Sequence, residues 1–233
     1  GLVYLNDPDD WESYLAGIGE PTGPGVTPID GSDLNLASIG VGSLPGRQSV
    51  TRTVTATRPG TYTADVNLGF FTQVAGLGRL PGEVTIDGHV HAEADWLNGM
   101  ALVNFWRGVE NMGVRPPDRV DRWAVSQAAP YRRVDLQGDL LLDDGGWSSG
   151  GLLADSRVAG TIKSGTQQQW FTRGSRIGAW EGSNWNMVFA GVEGAPETSF
   201  PEPPYTAVQA VPLVREKPFL TVSAAGEWEV FVP

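Results

Sequence analysis

The sequence has no cysteine and only two histidines, and these two shortages exclude much familiar chemistry. Without cysteine the chain has no disulfide, no zinc–thiolate site and no cysteine nucleophile. Long apolar runs are also missing. No run approaches the roughly 18 residues that a membrane-spanning helix needs, so the sequence predicts no membrane span.

Positive charge is scarce as well. Sixteen lysines and arginines against 27 acidic residues give a net charge of −11, which does not suit nucleic acid or an anionic membrane as a partner. No phosphate-binding or dinucleotide-binding glycine motif is present, so we expect no nucleotide and no cofactor. The chain begins at Gly1 without a methionine or a signal peptide, and we interpret it as a mature or excised segment of a secreted, extracellular protein.

Turn-forming residues and short apolar stretches dominate the sequence. Glycine (31) and proline (17) make up about a fifth of the 233 residues, and 40% of the chain is hydrophobic. This composition predicts many strands and many turns around a real core. Residues 1–30 are turn-rich and residues 33–66 alternate like two strands joined at Pro59-Gly60. We therefore divide the chain into an irregular or partly β-sandwich-like cap, 1–58, and a main domain, 59–233.

After residue 66, apolar stretches of four to six residues recur, each followed by glycine. Three of them share a local frame of arginine before an apolar β-branched residue: Arg133-Val134, Arg157-Val158 and Arg176-Ile177. Their steps of 24 and 19 residues indicate a period near 20–25 with one or two strands per unit. Such a period is typical of an all-β, parallel β-helix, in which stacked coils bury faces that a single coil cannot bury.

A family resemblance covers residues from about Gly60 to Pro233. The stretches "NLGFFTQVAGLG", "NFWRGVENMGV", "DDGGWSSGGLLADS", "NWNMVFAGVEGAP" and "VREKPFL" resemble the N-terminal half of bacterial proteins related to the family 55 glycoside hydrolases, which are β-1,3-glucanases. The resemblance implies a right-handed, pectate-lyase-like β-helix that handles polysaccharide outside the cell. It also implies that the catalytic acid comes from a second, C-terminal β-helix half, in the same chain or in a second one.

A weaker resemblance covers residues 1–58. "DDWESYLAGIG" and "SDLNLASIGVGSLPGRQSVTRTVT" resemble the start of the fibronectin-III-like C-terminal domain of subtilisin-type proteases. Only the first part of such a sandwich is present, and half a sandwich does not close its own core. The segment is then either a cap on the helix or a piece joined to it in a composite chain, and the sequence leaves both open.

The motif "DGHVH" raises the question of a metal. Asp87, His89 and His91 match the D-x-H-x-H pattern of metal-dependent amidohydrolases, but such sites need further histidines and the chain has none. A single-metal site formed by His89, His91 and Asp95 stays open as an alternative, although histidines that face solvent or a neighbouring coil explain the pattern better. We predict no metal.

Arginines and tryptophans are the candidate ligand-binding residues. If Val134, Val158 and Ile177 point inward, the preceding arginines point outward and form either a charge ladder with Asp135, Asp155 and Glu193 or a clamp for sugar or anions. Tryptophan faces stack on pyranose rings while amides bind hydroxyl groups. The predicted substrate-binding residues are Trp147, Gln169, Trp170, Trp180, Trp185, Arg157 and Arg176.

Glycoside hydrolysis needs two carboxyl groups, and Glu181 and Asp155 are the candidates. Glu181 follows Trp180, an aromatic neighbour of the kind that raises a carboxyl pKa. We predict the N-terminal part of a β-1,3-glucan hydrolase that supplies scaffold and substrate wall, with polysaccharide as its partner. The alternatives are a non-catalytic module for glycan binding or cell-surface attachment, and an accessory domain of a secreted subtilisin-type protease.

Overall fold

The structure is a computed structural model that describes residues 64–69, 72–127, 129–211, 214–223 and 227–233. All of these residues belong to one compact unit, Tyr62–Pro233. The predicted cap, 1–58, lies outside the described residues, so the division into two domains stays a prediction. In the described ranges, no helix has the length and apolar character needed to cross a bilayer.

The described residues form sixteen short strands and three single-turn 3-10 helices. The strands are β1 (Ala64–Asn67), β2 (Gln73–Ala75), β3 (Thr85–Ile86), β4 (Gly88–His91), β5 (Gly108–Val114), β6 (Val120–Arg122), β7 (Pro130–Leu136), β8 (Asp139–Leu141), β9 (Leu152–Ala154), β10 (Arg157–Lys163), β11 (Gln169–Arg173), β12 (Arg176–Glu181), β13 (Asn186–Ala190), β14 (Tyr205–Val208), β15 (Phe219–Val222) and β16 (Trp228–Phe231). The helices are Pro81–Glu83, Asp95–Leu97 and Ala101–Val103.

Fourteen of the strands pair in parallel with strands of neighbouring coils, and only β15 and β16 form an antiparallel hairpin. The register runs Val74, Val109, Tyr131, Leu153, Thr172, Phe189 and Ala207 from one coil to the next. From Val109 onward these positions lie 22 and then 17 to 19 residues apart, close to the predicted period. The predicted all-β, right-handed parallel β-helix is confirmed.

Each coil has three faces. The first face contains β2, the first halves of β5 and β7, and the strands β9, β11, β13 and β14. The second face contains β3, the second halves of β5 and β7, and the first halves of β10 and β12. The third face contains β4, β6, β8 and the ends of β10 and β12. Residues with positive φ turn the chain from the first face to the second, among them Asn111 (58°), Arg133 (51°) and Asp155 (52°). Single residues in the left-handed region bend a strand sharply.

The core fills the space between the three faces. Val134, Val158 and Ile177 are 1%, 1% and 4% exposed, which confirms that they point inward. Large side chains fill the centre, and the ring pairs Trp123–Tyr131 and Trp180–Phe189 meet edge to face with centroids 5.5 and 5.0 Å apart. Inward positions are apolar because strand residues alternate between the two sides of the sheet.

Candidate functional site

A groove runs across the outer side of the first face. It consists of two adjoining cavities of about 610 and 550 Å³, which share Pro130 and Leu152. Its floor is a row of outward-facing apolar side chains on successive coils: Pro130, Leu152, Phe171 and Val188. Neighbouring strands lie about 4.8 Å apart, so this row extends over roughly 14 Å.

Amide and aromatic side chains border this floor on the side where the strands of the first face begin. Gln169 and Asn186 lie next to each other in register, and Gln127 lines the same cavity. Gly150 and Gly151 leave the floor without side chains beside Gln169. Trp106, which is 54% exposed, lines the second cavity with the charged residues described next. A surface of apolar floor and amide rim matches the two kinds of surface on a sugar ring.

The other side of the groove is bordered by an ionic clamp. The segment 214–218, which we call the strap, crosses the first face and places Glu216 between Arg132 and Arg173. Lys217 of the strap donates to Glu110, which also accepts from Arg132 at 2.5 Å and from Gln73 at 2.8 Å. The side chains of Glu110 and Arg132 are 5% and 8% exposed. The clamp therefore fixes the strap across the coils of β5, β7 and β11.

Asp155 joins the clamp through Arg173, whose Nη2 donates to it at 3.1 Å. Burial raises the pKa of Asp155 to about 6, and the neighbouring carboxyl of Glu216 adds to this rise. Burial opposes the ionised form of Glu216 too, but its hydrogen bonds with Asp155 and Arg173 and the charges of Arg132 and Arg173 hold its pKa below the ordinary value. The two carboxyl groups share one arginine, as expected of a structural ion-pair network.

The structure corrects the predicted set of sugar-binding residues at Trp170 and Trp180. They are 2% and 9% exposed, because the alternation of their strands turns both rings into the core. Trp170 packs over Gly151, where a Cβ atom would lie 2.4 Å from the ring. Trp170 lines the first cavity from below with almost none of its indole exposed, and Trp180 lies outside both cavities. Trp147 and Trp185 are 61% and 65% exposed, and Gln169 lies in the groove, so these three remain available for the predicted role.

The predicted arginine column is only partly correct. Arg157 and Arg176 pair in register on the second face, but the position before Arg157 is Asp135 rather than Arg133. The left-handed conformation of Arg133 places it at the corner, where its guanidinium stacks 4.2 Å from the ring centroid of Phe219. Arg157 lies 3.7 Å from Asp135 and Arg176 lies 3.3 Å from Glu193, so the column is a ladder of exposed ion pairs.

Glu181 and Asp155 do not form a catalytic pair. Asp155 lies at the corner of the first and second faces, next to Gly174, whereas Glu181 ends β12 on the third face. The five residue steps of β12 between Arg176 and Glu181, at roughly 3.3 Å each, exceed the separation that either hydrolytic mechanism uses. Trp180 also points into the core while Glu181 points outward, so the indole does not cover the carboxyl.

The two histidines lie beside carboxylates on the third face. His91 contacts Asp65 at 2.5 Å through Nε2 and Glu93 at 3.1 Å through Nδ1, while His89 lies 3.7 Å from Asp118 and from Asp121. In the part of the chain that the structure describes, no three metal-ligating side chains are grouped to hold an ion.

Sequence reasoning missed Trp106, Phe171 and the clamp. Phe171 alternates with the buried Trp170 and Thr172, and this alternation could have identified it as outward-facing. Arg132 and Glu216 lie 84 residues apart, so no local pattern could have paired them.

Comparison with known proteins identifies a β-1,3-glucanase and two solved structures that are similar to this chain. No protein-family model matches the chain. An exo-beta-1,3-glucanase from Streptomyces sp. (strain SirexAA-E / ActE) is 51% identical over 180 residues, which are 76% of this chain and 29% of that protein. Two solved structures of sacteLam55A from Streptomyces sp. SirexAA-E, one of them a variant in complex with glucose, match with TM-scores of 0.71 and 0.72 at 50% and 49% identity. Each match covers 75% of this chain and 32% of the other, so the chain spans about a third of these relatives.

Proposed function

We propose that this β-helix is the scaffold and one substrate-binding wall of an extracellular β-1,3-glucan hydrolase, because three-quarters of the chain matches about a third of a family 55 β-1,3-glucanase. The observation that carries the proposal is the groove on the first face. It crosses several coils, so it accommodates a polymer rather than a single small molecule.

The chemistry of the groove fits a neutral glucan. Pyranose rings have apolar faces formed by C–H groups and edges formed by hydroxyl groups, and binding sites combine apolar surface with a few placed polar groups. The row from Pro130 to Val188 supplies the apolar surface. Gln127, Gln169 and Asn186 supply donors and acceptors along one edge.

The groove does not supply the hydrolytic carboxyl pair. Among the described residues that line it, Glu110 is the only acid, and its oxygens accept from Arg132, Gln73 and Lys217. A carboxylate whose oxygens already accept from Arg132, Gln73 and Lys217 is not placed to exchange a proton with a glycosidic oxygen. The catalytic acid and base then come from a C-terminal half, in the same polypeptide or in a second chain.

Turnover of laminarin, measured as release of reducing sugar, tests this division of labour. We expect this chain alone to bind β-1,3-gluco-oligosaccharides without hydrolysing them, and the chain joined to a C-terminal half to hydrolyse them. Phe171→Ala should weaken binding about tenfold, because Phe171 is the most exposed apolar residue of the floor. Leu220→Ala, at an exposed leucine outside the groove lining, is the matched control.

Two outcomes would contradict the proposal in different ways. Hydrolysis by this chain alone would place a carboxyl pair within it. Binding that Phe171→Ala and Leu220→Ala weaken equally would place the glucan outside the groove. The ion pairs of Glu110 with Arg132 and Lys217 also favour a second function, a glycan-binding module without catalysis. In that case, addition of a C-terminal half would leave laminarin intact. The protease-accessory alternative rests on residues 1–58, outside the described residues.

A further inference from the structure

Charge is distributed unequally between the two cavities of the groove. None of the described residues that line the first cavity is charged. The described residues that line the second cavity, of about 550 Å³, include a single acid, Glu110. They also include five cations: Arg107, Arg132, Arg173, Arg215 and Lys217. One end of the groove is therefore neutral and the other is positively charged.

This positive charge is a local exception in an acidic protein, whose net charge is −11. A cavity of about 580 Å³ on the second face offers a comparison, because it contains two arginines, Arg157 and Arg176, together with three acids. Arg157 lies 3.7 Å from Asp135, and Arg176 lies 3.3 Å from Glu193. The arginines of that cavity are thus balanced by carboxylates that line it, whereas the second cavity of the groove has one acid for five cations.

The ionic clamp occupies only part of the donors in the second cavity. It consists of Arg132, Arg173 and Lys217, paired with Glu110, Glu216 and Asp155. Lys217 donates to Glu110, but an ammonium group has three donors and the side chain of Lys217 is 53% exposed. The strap therefore presents a half-exposed ammonium group at the edge of the cavity.

Arg215 adds a cation that the clamp does not bind. It belongs to the strap, is exposed and lines the second cavity. In the ranges that the structure describes, no carboxylate lies within ion-pair distance of its guanidinium. Arg107 contributes a buried charge to the same cavity: it is 5% exposed, and burial lowers its pKa to about 10, so it stays protonated at neutral pH. The donors of Arg215 are thus available to a ligand beside an already positive wall.

These donors favour an oxyanion over a hydroxyl group. Positive charge gathered in a concave site attracts anions, because walls of low dielectric constant focus the field. A guanidinium group binds two oxygens of a carboxylate or a sulfate side by side, and such charge-assisted hydrogen bonds are about twice as strong as neutral ones. A sugar hydroxyl gains less from the same donors.

We propose that the second cavity is an anion subsite, which binds an oxyanion group on a terminal unit of a β-1,3-glucan whose neutral units lie in the first cavity. This inference rests on the proposed function and narrows its substrate class to glucans with an acidic end unit. Arg215 and Lys217 of the strap are the exposed cations of the subsite.

Calorimetric titration with matched oligosaccharides tests the subsite. The probes are a neutral β-1,3-linked gluco-oligosaccharide and two derivatives of it, in which C6 of one end unit or of the other is oxidised to a carboxylate. At low salt we expect one of the oxidised probes to bind about fivefold more tightly than the neutral probe, and this preference should shrink as salt is added.

Variants of Arg215 locate the source of the preference. Arg215→Gln should remove most of it, and Arg215→Lys, which keeps the charge, should retain it. Arg119→Gln is the matched control, because Arg119 is an exposed arginine outside the lining of both cavities of the groove. Melting temperatures check that the variants are folded, and the ratio of the two affinities within each variant is the quantity compared.

Each failure has a separate meaning. If the neutral probe binds and neither oxidised probe binds more tightly, the subsite is wrong and the groove proposal stands. Absence of binding by all three probes overturns both. A preference that Arg215→Gln and Arg119→Gln reduce equally would reflect the overall charge of the protein, and this too overturns the subsite. Inorganic sulfate should compete with the preferred oxidised probe; binding of sulfate without any gain for the oxidised probes would mean a site for free anions and not for an acidic sugar.

Discussion

Asp121 is a carboxyl group buried inside the β-helix. It is 1% exposed, and neither of its oxygens makes a hydrogen bond of ordinary geometry with a described residue. Burial raises its pKa to about 8, while the amides of Arg122 and Val90 oppose the rise and the charges of Asp65 and Asp118 add to it. Burial raises the pKa of Tyr131, and the charge of Asp121 adds to that rise, while His89 Nδ1 lies 3.7 Å from the Asp121 carboxyl. At neutral pH the acid is therefore protonated.

This proton links stability to pH. The folded state holds it up to about pH 8, whereas the unfolded state releases it near the ordinary value of 3.8, so the free energy of unfolding falls as pH rises between these values. The loss is on the order of 5 kcal/mol over the window. We expect Asp121→Asn, which cannot ionise, to remove this part of the pH dependence.

Urea unfolding at several pH values between 4 and 9 measures the effect, with the variant and the unchanged protein compared at each pH. Asp87→Asn is a suitable control, because Asp87 is an exposed acid beside Arg115. Parallel stability curves for Asp121→Asn and the unchanged protein would show that Asp121 does not hold a proton in the folded state.

Single residues also mark the limit of what the sequence predicts. Gln169 was predicted to bind substrate because amides next to tryptophan are typical of sugar sites; it lies in the groove, and its role there stays a prediction. Trp170, its neighbour, was assigned to the same surface and points the other way. The composition of a cluster does not state which members face outward; the alternation within β11 decides that, and it depends on where the strand begins.

At the scale of elements, the strap is held by charge rather than by apolar contact. Glu216 is 11% exposed and accepts from two arginines of different coils. Its ionised form is favoured in the folded state, so its contribution to stability is present above its ordinary pKa and is lost as pH falls through the lowered folded value.

We expect Glu216→Gln to release the strap and to lower the free energy of unfolding by about 2 kcal/mol, because the buried guanidinium of Arg132 and the half-buried one of Arg173 lose their shared carboxylate. Amide hydrogen exchange over residues 214–218 should rise. Glu193→Gln is the matched control: its partner Arg176 is exposed, and loss of an exposed pair changes stability by less than about 1 kcal/mol. Equal exchange in the two variants would mean that other contacts hold the strap.

The strap shows why element positions were harder to predict than element type. The stretch "VREKPFL" was noted for its family resemblance, but its contacts lie with residues 43 to 107 positions earlier. The parallel coils, in contrast, repeat a local pattern, and their period is readable from glycine and apolar spacing. The predicted arginine column failed at Arg133 because one left-handed residue shifts the register by two positions.

At the scale of the whole molecule, stability depends on each coil covering the next. Leu153 is fully buried and pairs with Tyr131 and Thr172 of the adjacent coils. We expect Leu153→Ala to lower the free energy of unfolding by about 3 kcal/mol, since the cavity lies at the centre of the stack. Leu220→Ala should change it by less than about 0.5 kcal/mol, because Leu220 is 52% exposed.

Chemical denaturation measures both variants, and the difference between them is the informative quantity. Similar values would show that the coils do not form one continuous core. The all-β class and the parallel stacking were predictable because composition and period are properties of the entire sequence. The groove was not predicted, since it arises where outward positions of several coils line up.

The regular pairing of the coils makes the groove extensible. Each added coil of about 20 residues would advance the floor by one strand spacing, about 4.8 Å, and would leave the existing coils in place. The length of polymer that such a wall can grip then changes in fixed increments, by duplication or deletion of repeats, without redesign of the interior. A β-helix with more or fewer repeats would then have a longer or shorter groove of the same cross-section.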